Sequence, residues 1–490
     1  MKTSARSCSR PLGAPGFGRC LAALLGCLSV ACGARDEGVP QLELAPAVLC
    51  SEPSGACLNV GVESLDVAAV PVLYKRIVGH PMVAMQINID AGGLSGAQQW
   101  NETAALALVG AGGSSNLGPV NWPQQLLHLG AVVAADGHRL DYSIIGGQAP
   151  LPHWREVWRM LTAAVERPYS DNANLESLRG FFVRGYESEM DAPESAADMD
   201  AWSRLFHGQS YNLPRESQAE LKRIDLATLR QSWSGLRDTT RWLVTLVGDL
   251  ERAEVEQAVR ELTDAAANSQ KRAALVPATA AASTETMSGA EPSADEAASA
   301  PQDPIVLAYP ASPTWHIVSY FTGPAANGSD YAALDLALRV LDQRLFTEVR
   351  DIRGLAYTTG ARLTFTRQTY GRFWLTTDSP LEALPIVRSV VADLKANGPN
   401  ERELETARAA LRTEILVGSS TVAGQASLLS DWQMTAGSRQ GVDDMLGSLD
   451  SVSAADLSAA LSYLDGAKTT AAGPGGALTA ADLSSLFGTP

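Results

Sequence analysis

The sequence predicts an α+β protein made of two domains with the same order of elements, and three observations carry that prediction. The stretches before and after residues 271–304 each run through a strand pair, a helix, a second strand pair and a set of amphipathic helices. Between them, Lys271–Pro304 is mostly Ala, Ser, Thr, Glu and Pro, with almost no large apolar residue, which is the composition of a flexible linker without a core. At 490 residues and 46% hydrophobic, the chain is also long enough to bury two ordinary cores.

The first domain is expected over residues 60–270. Val67–Gly79 and Met82–Ile89 are apolar and rich in β-branched residues, and Asp90-Ala91-Gly92-Gly93 stops the second, so they read as two strands. In Asn101–Leu117 the residues Glu102–Val109 are good helix formers, and Gly110, Gly112 and Gly113 end the helix. Trp122–Leu129 has the spacing of a short amphipathic helix. Ala131–Ala135 and Leu140–Ile145 read as a strand pair around the turn Asp136-Gly137-His138. Pro152–Glu166 places Trp154, Trp158, Leu161 and Val165 on one helical face. Helices over Leu175–Glu189, Ala197–Phe206 and Leu226–Ser232 follow, then an apolar strand Trp242–Gly248 and a helix Glu254–Ala266.

The second domain is expected over residues 305–472, followed by a tail at 473–490. Its strands are Ile305–Tyr309, Trp315–Phe321, Ala356–Phe365 and Gly371–Thr377. Its helices are Tyr331–Arg350, Leu381–Ala396, Glu401–Val417, Ala423–Thr435 and Ala454–Tyr463.

The N-terminus carries basic residues up to Arg19 and then the apolar run Cys20–Ala31, too short to span a bilayer but suited to a signal peptide over residues 1–31. Leu24-Leu25-Gly26-Cys27 and Ser29-Val30-Ala31-Cys32 both resemble a bacterial lipobox, which implies a lipid anchor on the cysteine. Lipidation at Cys32 leaves Cys50 and Cys57, an even pair able to close a small disulfide loop in an oxidising envelope, whereas cleavage at Cys27 leaves three cysteines. Cys32 is therefore the expected site and Cys27 the alternative, with residues 32–59 as a Gly/Pro/Ala-rich tether. A plain secretory signal is the simpler reading of the same leader. The net charge of −16 disfavours a nucleic-acid partner.

Four segments of the first domain point to a family: I-N-I-D-A-G-G at Ile87–Gly93, L-L-H-L-G-A at Leu126–Ala131, F-H-G-Q-S-Y-N-L-P at Phe206–Pro214 and L-V-T-L-V-G-D at Leu243–Asp249. They resemble the N-terminal domain of insulinase-like zinc metallopeptidases, the group of pitrilysin and the mitochondrial processing peptidase. R-L-F-T-E-V-R-D-I-R-G-L-A-Y at Arg344–Tyr357 resembles that family's C-terminal domain motif and is the most specific match. The resemblance implies two duplicated insulinase-type α/β-roll domains, each an antiparallel-rich sheet covered by helices.

Active members of that family carry H-x-x-E-H on the helix after the second strand, where two imidazoles hold zinc and the Glu is general base for the bound water. The flanking matches place that motif on Ala105-Leu106-Ala107-Leu108-Val109, so Ala105, Leu108 and Val109 stand at the two ligand positions and the base position. The family's third ligand is a Glu on a later helix. Glu187 and Glu189 are the candidates, the family position falls near Gly185, and solvated helix positions are the more ordinary reading of both.

The six histidines, His80, His128, His138, His153, His207 and His316, show no short ligand spacing; His128 reads as packed within its match and His138 as a turn residue. There is no G-x-S-x-G elbow, and G-A-G-G-S-S lacks the Lys of a phosphate loop. Arg350 and Tyr357 match the spacing of an Arg and a Tyr that, in active members, reach toward substrate and the tetrahedral intermediate. A guanidinium fork suits a peptide carbonyl, and a phenol can donate to an oxyanion. In their structural reading Arg350 instead ends a helix and Tyr357 packs at a strand start.

The expected protein is thus a non-catalytic insulinase-family homologue of the bacterial envelope, lipid-anchored and facing the periplasm or the cell surface, without a cofactor. Its expected partners are an active family homologue and a peptide or unfolded polypeptide, captured by adding a strand to a sheet edge. The alternatives are a working zinc metalloendopeptidase with displaced ligands and a stand-alone envelope scaffold.

Overall fold

The computed structural model describes residues 58–91, 99–137, 139–207, 209, 211, 222–275, 304–476, 478–484 and 486–487. The leader with Cys27 and Cys32, the pair Cys50 and Cys57, His138 and most of the linker lie outside these residues.

In the first half the chain runs β1 (Val62–Val67), β2 (Val70–Arg76), β3 (Met82–Ile89), α1 (Gln99–Gly112), α2 (Gly118–His128), β4 (Val132–Asp136) and β5 (Ser143–Pro150). Then come α3 (Trp154–Glu166), α4 (Asn172–Asp191), α5 (Pro193–Leu205), α6 (Leu226–Leu236), β6 (Trp242–Gly248) and α7 (Arg252–Leu275). The second half holds β7 (Ile305–Ala308), β8 (Trp315–Thr322), α8 (Tyr331–Leu345) continued by a π-helical turn Phe346–Asp351, β9 (Thr358–Thr364) and β10 (Tyr370–Thr377). It ends with α9 (Pro380–Asn397), α10 (Glu401–Gly418), α11 (Val422–Ala436), α12 (Gly441–Ser448), α13 (Ala454–Ala460), β11 (Lys468–Gly473) and α14 (Ala480–Leu483).

The first sheet has the order β1-β2-β6-β3-β5-β4 and the second β7-β11-β8-β10-β9. With β1 set aside, the two orders superpose strand for strand. In each, the first two strands are parallel (β2 with β6, β7 with β11) and the remaining pairs antiparallel. The duplication read from the order of elements is therefore a duplication of topology. The strands expected as pairs at the start of each half are not neighbours, because β6 lies between β2 and β3, and β11 between β7 and β8.

Strand β11 escapes a sequence reading because it contains no large apolar residue: Lys-Thr-Thr-Ala-Ala-Gly. It is nonetheless buried along almost its whole length. Small residues suit a central strand pressed by bulky neighbours, and a Cβ on Gly473 would run into the Trp315 ring. The same logic fixes the end of α1, where Gly113 has φ +62° and a Cβ would strike the Trp122 ring.

One face of each sheet is covered by helices of its own half; the other receives a helix from the opposite half. α11 lies over β3 and β6, burying Val422, Ala426 and Leu429 against Leu73, Ala84, Leu243 and Val247. α5 lies over β8 and β11, burying Ala197, Ala201 and Leu205 against Val318, Tyr320 and Ala472. This exchange explains why β3 and β6 read as nearly continuous apolar runs: both faces are dry.

The segment beyond residue 472 is not peripheral. Leu478, Leu483, Leu486 and Phe487 are buried in the second core, and Thr479 caps α14 in a capping box with Asp482. At the other end, Asn59 is buried and donates to Asp443 and to the Arg439 carbonyl, which ties the last tether residues to the second half.

Candidate functional site

Helix α1 runs beside β4, the last strand of the first sheet, and packs on α2, α4 and α6. Thr103 Oγ1 donates to the Gly137 carbonyl at 2.8 Å, and a Cβ on Gly110 would come within 3.3 Å of the Ala135 nitrogen. Glycine at 110 thus lets the helix approach the strand backbone. Among the described residues β4 pairs with β5 on one side only, so its outer edge presents a row of backbone donors and acceptors.

At the three functional positions of the zinc pattern, Ala105, Leu108 and Val109 are 3%, 4% and 2% exposed and belong to the first core, together with Leu175 and Phe182 of α4. All three side chains are buried in that core, so the positions do not face open solvent. Glu187 is exposed on the last turns of α4, as is Gly185. The Glu189 side chain is not described. Among the described residues no group of three or more His, Cys, Asp or Glu is placed to hold a metal ion.

The histidines are dispersed. His128, expected to pack, is exposed in the last turn of α2, because the buried face of that helix is Gly118, Trp122 and Leu126. His153 and His207 are exposed as well. His316 is half-buried beside Thr314 and Thr376, and burial lowers its pKa, which keeps the ring neutral.

On the second half, Arg350 sits in the π-helical turn with its guanidinium 4.8 Å from the Phe346 ring centre. Tyr357 precedes β9, is 57% exposed and donates to Asp378 at 3.1 Å; that carboxylate raises the phenol's pKa. The same motif borders a cleft of about 390 Å³ lined by Arg344, Thr347, Glu348, Arg353 and Glu403. Arg344 is saturated there by a bidentate pair with Glu403 (2.7 and 2.8 Å) and by Asp393 (2.8 Å). A second cleft of about 340 Å³ lies between the halves and is lined among others by Asp90, Arg241, Arg367 and Met434. Neither cleft is lined by Arg350, Tyr357 or the three zinc-pattern positions, so the residues singled out in the sequence are not gathered into one site.

Charged groups that sequence reasoning passed over hold the two halves together. Asp198 of α5 receives Arg372 of β10 at 2.9 and 2.6 Å and Tyr320 of β8 at 2.9 Å. Burial pushes the Asp198 carboxyl up, and Arg372 opposes it. Asp141 similarly accepts from Tyr211 and from the Arg367 backbone amide. Over β3, Asn88 donates to Ser430 of α11 at 3.0 Å, and Thr245 pairs with the same hydroxyl at 2.8 Å. Only the fold shows these partners, which lie 70 residues or more apart in sequence.

Residues 240–411 match the family model of the peptidase M16 inactive domain. The match covers those residues alone, and the fold of the described chain is of the insulinase type found in M16 peptidases. Among solved structures, the chain is similar to a peptidase M16 inactive domain from Pseudomonas fluorescens, with a TM-score of 0.70, 20% identity, and coverage of 85% of this chain and 99% of the other. It is similar to the periplasmic protease PqqL from Escherichia coli, with a TM-score of 0.67, 12% identity, and coverage of 85% of this chain and 46% of the other. It is also similar to the ferredoxin protease FusC in a complex with Arabidopsis ferredoxin, with a TM-score of 0.63, 15% identity, and coverage of 85% and 45%. No curated protein matches the sequence significantly. Within the M16 fold, the duplicated sheets and the helix beside β4 are kept, while H-x-x-E-H is absent from α1.

Proposed function

We propose that this non-catalytic M16 homologue is a polypeptide-binding subunit of the bacterial envelope, exported and lipid-anchored through Cys32, that works beside an active zinc-bearing homologue. The observation that carries the reading is β4: a strand edge without a partner among the described residues, next to a helix whose ligand positions are Ala105, Leu108 and Val109. Such an edge binds an extended segment through main-chain hydrogen bonds, without any need of metal. The fold's similarity to FusC, solved with a ferredoxin, supports protein capture.

The test is hydrogen exchange on the full chain with and without a chemically unfolded polypeptide. Amides of Val132–Asp136 should gain protection on binding; unchanged exchange at saturating polypeptide overturns the reading. Purification from the native envelope should bring down a homologue with H-x-x-E-H, and its repeated absence would leave the scaffold.

The burial of Ala105, Leu108 and Val109 favours a second reading, a stand-alone scaffold, since positions closed off from solvent offer little chamber for substrate. The two readings differ in the hydrogen-exchange result. A displaced zinc site, the remaining alternative, predicts a chelator-sensitive peptidase.

A further inference from the structure

We infer that Asn327 is a self-modification site: its side-chain amide is lost to attack by the next backbone nitrogen, leaving an isoaspartyl or aspartyl residue. The inference is independent of peptide capture at β4.

The sequence holds four Asn-Gly or Asp-Gly pairs: Asp136-Gly137, Asn327-Gly328, Asn397-Gly398 and Asp465-Gly466. In such a pair the second residue has no Cβ to shield the side-chain carbonyl carbon from its own backbone nitrogen. At asparagine the nitrogen bonds to Cγ as the bond from Cγ to the amide nitrogen breaks. That nitrogen leaves as ammonia, taking the proton of the attacking N–H, and a succinimide ring remains. Water then opens the ring at either carbonyl, giving isoaspartate or aspartate. Water is the only co-reactant, and each event adds one negative charge.

The fold clamps three of the four pairs. Asp136 lies 3.5 Å from Arg139, the Gly137 carbonyl accepts from Thr103 Oγ1 at 2.8 Å, and Gly137 is packed against Leu106. Asn397 Nδ2 donates to Asp393 at 2.7 Å. Gly398 ends α9 at φ +72°, its N–H on the Leu394 carbonyl at 3.0 Å and its own carbonyl held by Arg344 at 3.2 Å. Asp465 is paired with Lys395. Asn327 differs. It is exposed in the loop between β8 and α8, and among the described residues its side chain makes no hydrogen bond. Gly328 is held by turn contacts alone, its N–H on the Ala325 carbonyl at 2.8 Å and its carbonyl on the Tyr331 amide at 3.2 Å. A surface turn opens locally far more often than a helix cap tied to Arg344 and Asp393.

The test is incubation of the full chain in heavy-oxygen water, with peptide mapping by mass spectrometry and methyl labelling by an isoaspartyl methyltransferase. Asn327 should take up heavy oxygen about tenfold faster than Asn397, with the isoaspartyl form in excess. The rate should rise with pH, because the attacking nitrogen must lose its proton. In urea, which opens both sites, Asn397 should convert as fast as Asn327. Asn327→Gln should abolish the main methyl label and leave the melting temperature unchanged. Retention of the Asn327 amide throughout, equal rates at Asn327 and Asn397 in the folded chain, or a main label at Asp136 or Asp465 overturns the inference. Continued protection of Asn397 in urea overturns the part assigned to the fold.

Discussion

Leu108→Glu restores the acid of the zinc pattern at a position only 4% exposed, and its cost distinguishes a filled core from a chamber. A glutamate enclosed in the first apolar core must be neutral, so its folded pKa rises above 7. Holding it protonated at pH 7 from an unfolded pKa of about 4.3 takes about 2.7 pH units, or about 3.7 kcal/mol. Loss of the buried leucine adds about 1.5 kcal/mol or more. The variant should therefore be about 5 kcal/mol less stable at pH 7, a large part of an ordinary domain's stability. Because the folded pKa is raised, the penalty appears as pH rises above the unfolded pKa and shrinks as pH falls. At pH 5 the loss should be about 2.7 kcal/mol smaller. Urea denaturation followed by tryptophan fluorescence at both pH values measures it. A loss under about 1 kcal/mol with no pH dependence would show position 108 facing water, and would refute the filled-core argument.

Other outcomes follow from the contacts between the halves and from the turns. Arg372→Ala leaves Asp198 buried without its guanidinium and should cost about 3–5 kcal/mol in denaturation, whereas Tyr320→Phe, which removes one hydrogen bond, should cost about 1 kcal/mol. Gly113→Ala forces a side chain to φ +62° against Trp122 and should lower the melting temperature by several degrees, where Gly185→Ala, in open space on α4, should not. Asp249 accepts from the Gly79 amide and Arg76, which holds its pKa below the usual carboxylate value. Its contribution is present above an unfolded pKa of about 3.9 and is lost as pH falls through the folded value, so Asp249→Asn should destabilise at pH 7 and converge on wild type in strong acid.

The helices were legible because their periodicity is strong and their ends are marked. α3 carries its tryptophans and aliphatics on one face, and α10 begins at an Asn400/Glu403 capping box. Strand β6 is apolar but for Thr245 and was readable to the residue. β11 was not readable, since its burial comes from neighbours that the local sequence does not name. The exchange of α5 and α11 between halves was hidden for the same reason: an amphipathic face shows that a helix is covered, not which sheet covers it. At the candidate site, the blank positions Ala105, Leu108 and Val109 were visible only through the flanking family matches, and their burial in the first core only through the fold. The clamp of Asp198, Arg372 and Tyr320 and the cleft of Asp90, Arg241 and Arg367 join residues far apart in the chain, beyond any local pattern.

The central claim is that the insulinase-type fold persists here without its zinc chemistry. The most direct measurement is the metal content of the full chain, purified without chelator and supplied with zinc. The account predicts zinc well below one per chain and no chelator-sensitive cleavage of unfolded polypeptide. One tightly bound zinc per chain, with peptide cleavage that a chelator abolishes and zinc restores, would contradict it.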